Sequence, residues 1–266
     1  MRPARMTGPA GWSAGSGPTG TGPIVLVAHG SRDPRAAAAT RALVRAVAAA
    51  RPGVDVRAAY LDHAGTRPGA VLADLQSAGY PQATLVPLLL TEAFHGRVDI
   101  PEVVRAARRA GLRIPVTTTR VLGPSVGADA VDPLLLAGLR RRFAQAAADC
   151  DAVVLAAAGT RSVPARETVT LAATALGGEL AVPCAVGYAS AAPPTAGAAV
   201  EMLRAAGARR VGVAAYFLAP GRLYDSAAAS AGQAGAVAVA APLAGAPEVA
   251  RLVLCRVDRA AVPVAA

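Results

Sequence analysis

The stretch that decides the fold is residues 24–34, which reads IVLVAHGSRDP. Its first five residues, Ile24–Ala28, predict a buried strand, because a short apolar run that ends at a turn signal is typical of a parallel sheet. Gly30 marks the turn, Asp33 is suited to cap a helix, and Pro34 suits the first helical position. The stretch therefore predicts a strand that passes through a tight turn into a helix.

The same alternation continues along the first half of the chain. The first helix is expected to end at residue 50, where Arg-Pro-Gly follows. Later patterns predict strands at 54–61, 84–90 and 114–121, and helices at 68–78, 101–110 and 132–148. Strands that alternate with helices of this length predict a parallel sheet with helices on both faces.

The second half repeats the first. The stretches that match in order, at nearly constant offset, are residues 152–164, 183–190, 211–225 and 241–257. This agreement predicts an internal duplication, with one α/β domain at 23–145 and a second at 150–266. Residues 1–22 are rich in Gly, Pro, Ser and Thr, and we expect a disordered tail there.

The two halves differ in the residues that carry chemistry. His29 follows the first strand and His95 follows the third, whereas the second half has Ala158 and Gly221 in those places. Because ligands of an open α/β sheet bind outside the carboxyl ends of its strands, we expect His29 and His95 to share one site. Neutral imidazole binds divalent metals and also takes up protons near pH 7.

Other titratable side chains lie near the same strand ends. Asp62 ends the second strand, and Ser190 replaces it in the second half. His63 follows directly, and in a continuing strand its side chain would face away from that of Asp62. Glu92 lies shortly before His95 in the same loop. The sequence leaves open which of Asp62, His63 and Glu92 joins the histidine site.

Composition excludes several classes of function. The formal charge of +10 comes from arginine alone, since the chain has no lysine, and aromatic residues make up only 3%. Side chains that stack on bases are thus scarce, and we expect no nucleic-acid partner. No apolar run approaches the roughly 20 residues that a membrane span needs, so we expect no membrane partner. The cysteines, Cys150, Cys184 and Cys255, are far apart, which favours the reducing cytoplasm.

The motifs at 28–34, AHGSRDP, and at 90–101, LTEAFHGRVDIP, resemble those of the class II tetrapyrrole chelatases. The similarity is greatest to the long, two-domain form of the sirohydrochlorin ferrochelatases and cobaltochelatases, and it covers residues 24–262. The resemblance implies two flavodoxin-like domains with parallel sheets and an active site in the cleft between them. It also implies a cytoplasmic lyase that inserts Fe²⁺ or Co²⁺ into sirohydrochlorin without ATP, in siroheme or cobalamin biosynthesis.

The resemblance further implies roles for individual residues. His29 and His95 would be the metal ligands and catalytic groups, with Asp62 as a third catalytic residue where family members often carry glutamate. The loop residues that would border the macrocycle are Leu90, Thr91, Glu92, Ala93 and Phe94. The divalent metal enters as a substrate, the tetrapyrrole is the partner, and no organic cofactor is expected. The oligomeric state stays open.

Two alternatives remain on the sequence alone. A nickel-specific chelatase would use the same ligands, and so would a non-catalytic carrier of metal or tetrapyrrole. Histidine phosphatases also place a histidine at a strand end, but within Arg-His-Gly. Ala28 stands where their phosphate-clamping arginine would be, and we therefore set that class aside.

Overall fold

The computed structural model describes residues 22–63, 65–91, 100–146 and 149–261. Within them, the first half contains β1 (Ile24–Ala28), α1 (Pro34–Ala50), β2 (Val56–Tyr60), α2 (Pro68–Ser77), β3 (Ala83–Pro87), α3 (Ile100–Arg109), β4 (Val116–Thr118) and α4 (Pro133–Ala146). The second half contains β5 (Ala152–Ala157), α5 (Val163–Leu180), β6 (Cys184–Tyr188), α6 (Ala196–Ala205), β7 (Val211–Tyr216), α7 (Arg222–Gln233), β8 (Ala238–Val239) and α8 (Pro247–Ala261), with a short 3₁₀ turn (Leu243–Gly245) before α8. Among these helices, none combines the length and the apolar composition needed to cross a bilayer.

Both halves form a parallel sheet of the same topology. The strand order is β2-β1-β3-β4 in the first sheet and β6-β5-β7-β8 in the second. Ala28 pairs with Tyr60 in the first sheet, and Ala157 pairs with the equivalent Tyr188 in the second. This order is that of flavodoxin-like folds, whose ligands bind where the connections leave the sheet in opposite directions, between β1 and β3. The predicted duplication of a parallel α/β unit is confirmed.

The opening stretch folds as its sequence predicts. Ile24–Val27 of β1 are buried, so both faces of this central strand lie in the core. The side chain of Asp33 caps α1, because its Oδ1 accepts a hydrogen bond from the backbone N of Arg35 at 2.9 Å. Pro34 occupies the first helical position, where it has no intrahelical hydrogen bond to lose.

Three strands are shorter than the sequence patterns predict, and β3 shows why. After β3 ends at Pro87, the backbone N of Leu88 still donates to Val27 O at 2.8 Å. The carbonyl of Leu89 then accepts from the backbone N of Leu122 at 2.9 Å, outside the strand ladder. The apolar residues past the strand end therefore pack in a loop, and an apolar run alone does not distinguish loop packing from strand pairing.

Each half gives its last helix to the other half. The main contacts of α4 are with α5, β7 and α8, whereas α8 packs against α1, β3 and β4. One apolar core therefore runs through both sheets and includes Leu26, Leu155 and Leu252. The sequence units 23–145 and 150–266 follow the repeat, but the packing crosses their boundary. That each unit is a domain in its own right stays a prediction.

A buried guanidinium joins the exchanged helices. Arg256 of α8 donates through Nη1 to Oδ2 of Asp132 at 2.8 Å, and through Nε and Nη2 to the carbonyls of Val121 and Leu122 at 3.0 and 3.1 Å. Asp132 also accepts from the backbone N of Leu134 at the start of α4. Both partners of the ion pair are only 11% exposed. One side chain thus holds α8 to the loop after β4 and to the first turn of α4.

We expect Arg256→Met to lower the free energy of unfolding by about 3–5 kcal/mol, because it removes the main cation from a largely buried carboxylate and leaves the carbonyls of Val121 and Leu122 without their donor. Arg259→Met is the matched control. Arg259 lies 3.6 Å from the same carboxylate but is 72% exposed, so its loss should cost less than about 1 kcal/mol. Denaturant unfolding measures both values. Equal stability of the two variants would contradict the role assigned to Arg256.

Candidate functional site

A cleft of about 1010 Å³ lies between the two halves. Its first wall is formed by the β1–α1 loop and α1, and its second wall by the β7–α7 loop and the start of α7. A Cβ atom added to Gly221 on the second wall would lie 3.9 Å from Oγ of Ser31 on the first, so the walls approach closely there. The cleft thus opens at the carboxyl ends of β1 and β7, which is where parallel sheets bind ligands.

His29 follows the last residue of β1 and lines the first wall. Its carbonyl accepts a hydrogen bond from the backbone N of Asp62 at 2.8 Å, and the carbonyl of Ala28 accepts from that of Leu61 at 3.0 Å. These two bonds hold the turn after β2 against the turn after β1. Two of the strand ends that the sequence singled out therefore lie side by side, with the exposed His29 between them and the cleft.

The turn after His29 requires glycine. Gly30 has a φ of +96°, and a Cβ atom there would lie 2.0 Å from the carbonyl oxygen of Asp62. In the second half, Gly159 has a φ of +91°, and its Cβ would lie 1.9 Å from the carbonyl oxygen of Ser190. Both halves use the same close approach, so this glycine serves the backbone of the fold.

His63 turns toward the cleft. β2 has already ended at Tyr60, and His63 adopts a left-handed φ of +64°. Its ring centroid lies 6.4 Å from that of His29, with the two ring planes at 87°. Its Nε2 lies 3.7 Å from Oδ2 of Asp62. In a continuing strand His63 would face away from Asp62, but β2 ends at Tyr60 and the two side chains lie beside each other.

The carboxylate of Asp62 lies beside the ring of His63. Its Oδ1 accepts a hydrogen bond from the backbone N of His63 at 2.7 Å, and Nη2 of Arg67 lies 3.8 Å from the same oxygen. The hydrogen bond from His63 is the main cause that lowers the pKa of Asp62, and the charges of His63, Arg67 and His29 act in the same direction against desolvation. Asp62 is 54% exposed, and it is not among the described residues that line the cleft.

The loop after β3 begins at a point that both halves hold. The carbonyl of Leu90 accepts a hydrogen bond from the hydroxyl of Tyr216 at 3.0 Å, and a Cβ atom on Gly123 would lie 1.8 Å from that carbonyl oxygen. Burial raises the pKa of Tyr216, so its hydroxyl stays protonated and can donate. Thr91 is the last described residue of this loop. The other predicted site residues lie outside the described residues: Glu92, Ala93, Phe94 and His95.

An ion pair connects the two walls. Nη2 of Arg35 on α1 lies 2.5 Å from Oδ2 of Asp225 on α7 and 2.6 Å from Oδ2 of Asp33. The hydrogen bonds from Arg35 are the main cause that lowers the pKa of Asp33. Arg35 and Asp225 are 53% and 46% exposed, so water and salt screen the pair and it adds little to stability. Its consequence is geometric, because it ties the rim of one wall to the rim of the other.

The imidazole groups lie on one wall of the cleft, whereas positive charge comes from both walls. His29 and His63 lie on the first wall, while Arg32 and Arg222 place one exposed guanidinium on each wall. An anionic ligand that spans the cleft can therefore contact both arginines. Within the described residues, no three His, Cys, Asp or Glu side chains are grouped so that they could hold a metal ion. A metal held by His29 needs further ligands from water, from the substrate or from another part of the chain.

The CbiX family model matches residues 23–146 and, a second time, residues 152–260. The chain belongs to the CbiX family. The two matches coincide with the two sheets, so this CbiX protein carries the family unit twice. No curated protein matches the chain by sequence.

Solved structures share the fold of this CbiX protein over most of its length. SirB from Bacillus subtilis with Fe³⁺ superposes with a TM-score of 0.74 at 21% identity, over 91% of this chain and 96% of that one. The sirohydrochlorin chelatase SirB from Bacillus subtilis subspecies spizizenii in complex with cobalt gives 0.71 at 21% identity, over 91% and 95%. DR2241 from Deinococcus radiodurans, a multi-domain protein with structural similarity to chelatases, gives 0.64 at 18% identity, over 90% and 55%.

We expect Gly30→Ala and Gly159→Ala to lower the melting temperature by similar amounts, because each drives a Cβ atom into a carbonyl oxygen at positive φ, at a cost of about 1–3 kcal/mol. Only Gly30→Ala should also weaken Co²⁺ binding, since only that turn joins His29 to Asp62. Thermal melting and calorimetric titration with Co²⁺ measure the two effects. Equal losses of Co²⁺ affinity in both variants would show that metal binding follows global stability instead.

Proposed function

We propose that this protein inserts a divalent metal ion, Fe²⁺ or Co²⁺, into a sirohydrochlorin-type tetrapyrrole without ATP. The observation that carries the proposal is the exposed imidazole of His29 at the carboxyl end of β1, facing a cleft of about 1010 Å³ in a CbiX-family chain. That volume lies at the upper end of the range for small-molecule sites, as a macrocycle requires. The SirB structures with Fe³⁺ and with cobalt support the choice of metal.

Metallation makes two chemical demands on the first wall. A hydrated divalent ion has to shed water, and the two pyrrole N–H groups of the macrocycle have to lose their protons. A neutral imidazole can ligate the ion or accept a proton, and imidazole suits first-row transition metals. We propose that His29 performs these tasks, and that the carboxylate of Asp62, whose pKa is lowered, offsets positive charge nearby. His95 is proposed as a second histidine on the family resemblance alone.

The substrate is a polyanion, and the cleft supplies positive charge to bind it. Sirohydrochlorin carries eight carboxylate arms, and guanidinium groups recognise carboxylates by paired hydrogen bonds. Arg32 and Arg222 supply such groups from opposite walls. The net charge of +10 attracts an anion of this kind over longer distances. The loop Leu90–Phe94 is proposed to border the macrocycle.

The choice among iron, cobalt and nickel follows from metal availability and coordination geometry more than from raw affinity. The product would accordingly enter siroheme or cobalamin biosynthesis. We propose a cytoplasmic location, because Cys150, Cys184 and Cys255 are all free thiols, as a reducing compartment allows.

The test is an anaerobic assay of the full chain with sirohydrochlorin and Co²⁺ or Fe²⁺, in which the absorbance change of the macrocycle measures metal insertion. We expect many turnovers per protein molecule, and we expect His29→Ala to lower kcat/KM by about 100-fold or more, the scale of a lost acid–base group. Folding should be intact, because Ala158 occupies the equivalent place in the second half. Arg45→Ala, on an exposed part of α1 outside the cleft, serves as the control.

Two outcomes of this assay contradict the proposal. Undiminished turnover in His29→Ala would show that His29 is not part of the catalytic site. A single stoichiometric absorbance change without turnover would show a carrier of metal or tetrapyrrole instead of an enzyme.

A further inference from the structure

The first wall carries a second imidazole, and the equivalent turn of the second half has an alanine in its place. His63 lines the same cleft as His29, and the two ring centroids lie 6.4 Å apart. Bonds from imidazole nitrogen to a zinc-like divalent ion are about 2.0–2.1 Å long, so two rings on one ion have centroids up to about 6.5 Å apart. The two rings are therefore within the span that a single ion can bridge.

The backbone of this turn does not need a histidine. In the second half, Ala191 follows Ser190 as His63 follows Asp62, and the φ values are +62° and +64°. The supporting hydrogen bond is also repeated, since the backbone N of Ser190 donates to Ala158 O at 3.1 Å and that of Asp62 donates to His29 O at 2.8 Å. The same left-handed turn thus forms with a methyl side chain, and the imidazole adds nothing that the fold requires.

The surroundings of His63 suit a metal ligand. Metal-binding histidines commonly present their second ring nitrogen to a carboxylate, which orients the ring and raises its basicity. Nε2 of His63 lies 3.7 Å from Oδ2 of Asp62, and Asp62 is held in turn by the backbone N of His63 and by Arg67.

We infer that His63 and His29 together bind the incoming divalent ion on the first wall before its transfer to the macrocycle, with its other ligands supplied by water or by another part of the chain. The inference rests on the proposed function for the fate of the ion, but not for its binding. His63 then supplies a ligand that Asp62 does not provide, because the aspartate side chain is shorter than the glutamate that family members often carry and does not line the cleft. The ion is recognised by its chemistry, as a first-row divalent cation that prefers imidazole nitrogen.

The experiment is a titration of the untagged full chain with Co²⁺ alone, without tetrapyrrole. Calorimetry measures the affinity, and visible absorbance reports the coordination of the bound Co²⁺. His63→Asn removes the imidazole while asparagine still tolerates the left-handed turn. We expect it to lower Co²⁺ affinity at least tenfold and to change the visible spectrum, with an unchanged melting temperature. Ala191→Asn makes the same replacement in the second half and should leave the affinity and the spectrum of wild type.

Wild-type Co²⁺ affinity in His63→Asn would overturn the inference, and so would a wild-type chain that does not bind Co²⁺ without tetrapyrrole. Equal weakening by His63→Asn and Ala191→Asn would also overturn it, since the loss would then be structural. The chelation assay on the same samples separates this result from the proposed function. If the chain needs His63 to bind Co²⁺ but does not metallate sirohydrochlorin, the inferred metal site would stand and the proposed enzymatic function would be wrong.

Discussion

The contact of Arg256 with Asp132 and with the carbonyls of Val121 and Leu122 is the interaction on which the rest of the arrangement depends. It crosses from the last helix of the second half to the loop and helix start that end the first half. One guanidinium donates to three acceptors at a position where both partners of the ion pair are only 11% exposed. It thereby connects α8, which packs on the first sheet, to the start of α4, which packs on the second. The exchanged helices keep both sheets in one core, and the cleft between their carboxyl ends follows from that fixed relation.

The duplication separates what the fold needs from what the chemistry needs. Both halves retain the glycine, Gly30 or Gly159, that lets the turn after the first strand approach the turn after the second strand. Both also retain a residue with a left-handed backbone in that second turn, His63 or Ala191. The side chains of the two halves differ at these turns. His29 and His63 line the cleft, whereas Ala158 and Ala191 occupy the equivalent places in the second half. The second half contributes other functions: Tyr216 holds the start of the loop after β3, and Arg222 and Asp225 line the opposite wall.

Much of the fold could be predicted from the sequence, because apolar runs, glycine and proline signals and the repeat are local features. The opening strand, the cap at Asp33 and the duplicated parallel sheets are such cases. The helix exchange could not be predicted, since the amphipathic pattern of α4 or α8 shows that a face is buried but does not show which sheet covers it. The bond from Tyr216 to Leu90 O depends on that exchange and carries no local signal.

The site shows the same division. The placement of His29 follows from the strand that precedes it, so its sequence predicts its position. The orientation of His63 is harder to predict, because the strand pattern of residues 54–61 does not show that β2 ends at Tyr60 and that the chain then turns His63 toward the cleft. The signal that could have found it was the comparison with Ala191, where the duplicated turn lacks an imidazole.

The most direct measurement is anomalous X-ray diffraction at the cobalt edge from crystals of the wild-type chain soaked in Co²⁺. We expect one anomalous peak in the cleft, on the first wall, within coordination distance of nitrogen atoms of both His29 and His63. A peak on the second wall near Asp225, or a cleft without any anomalous peak, would contradict the assignment of metal binding to the histidines of the first wall.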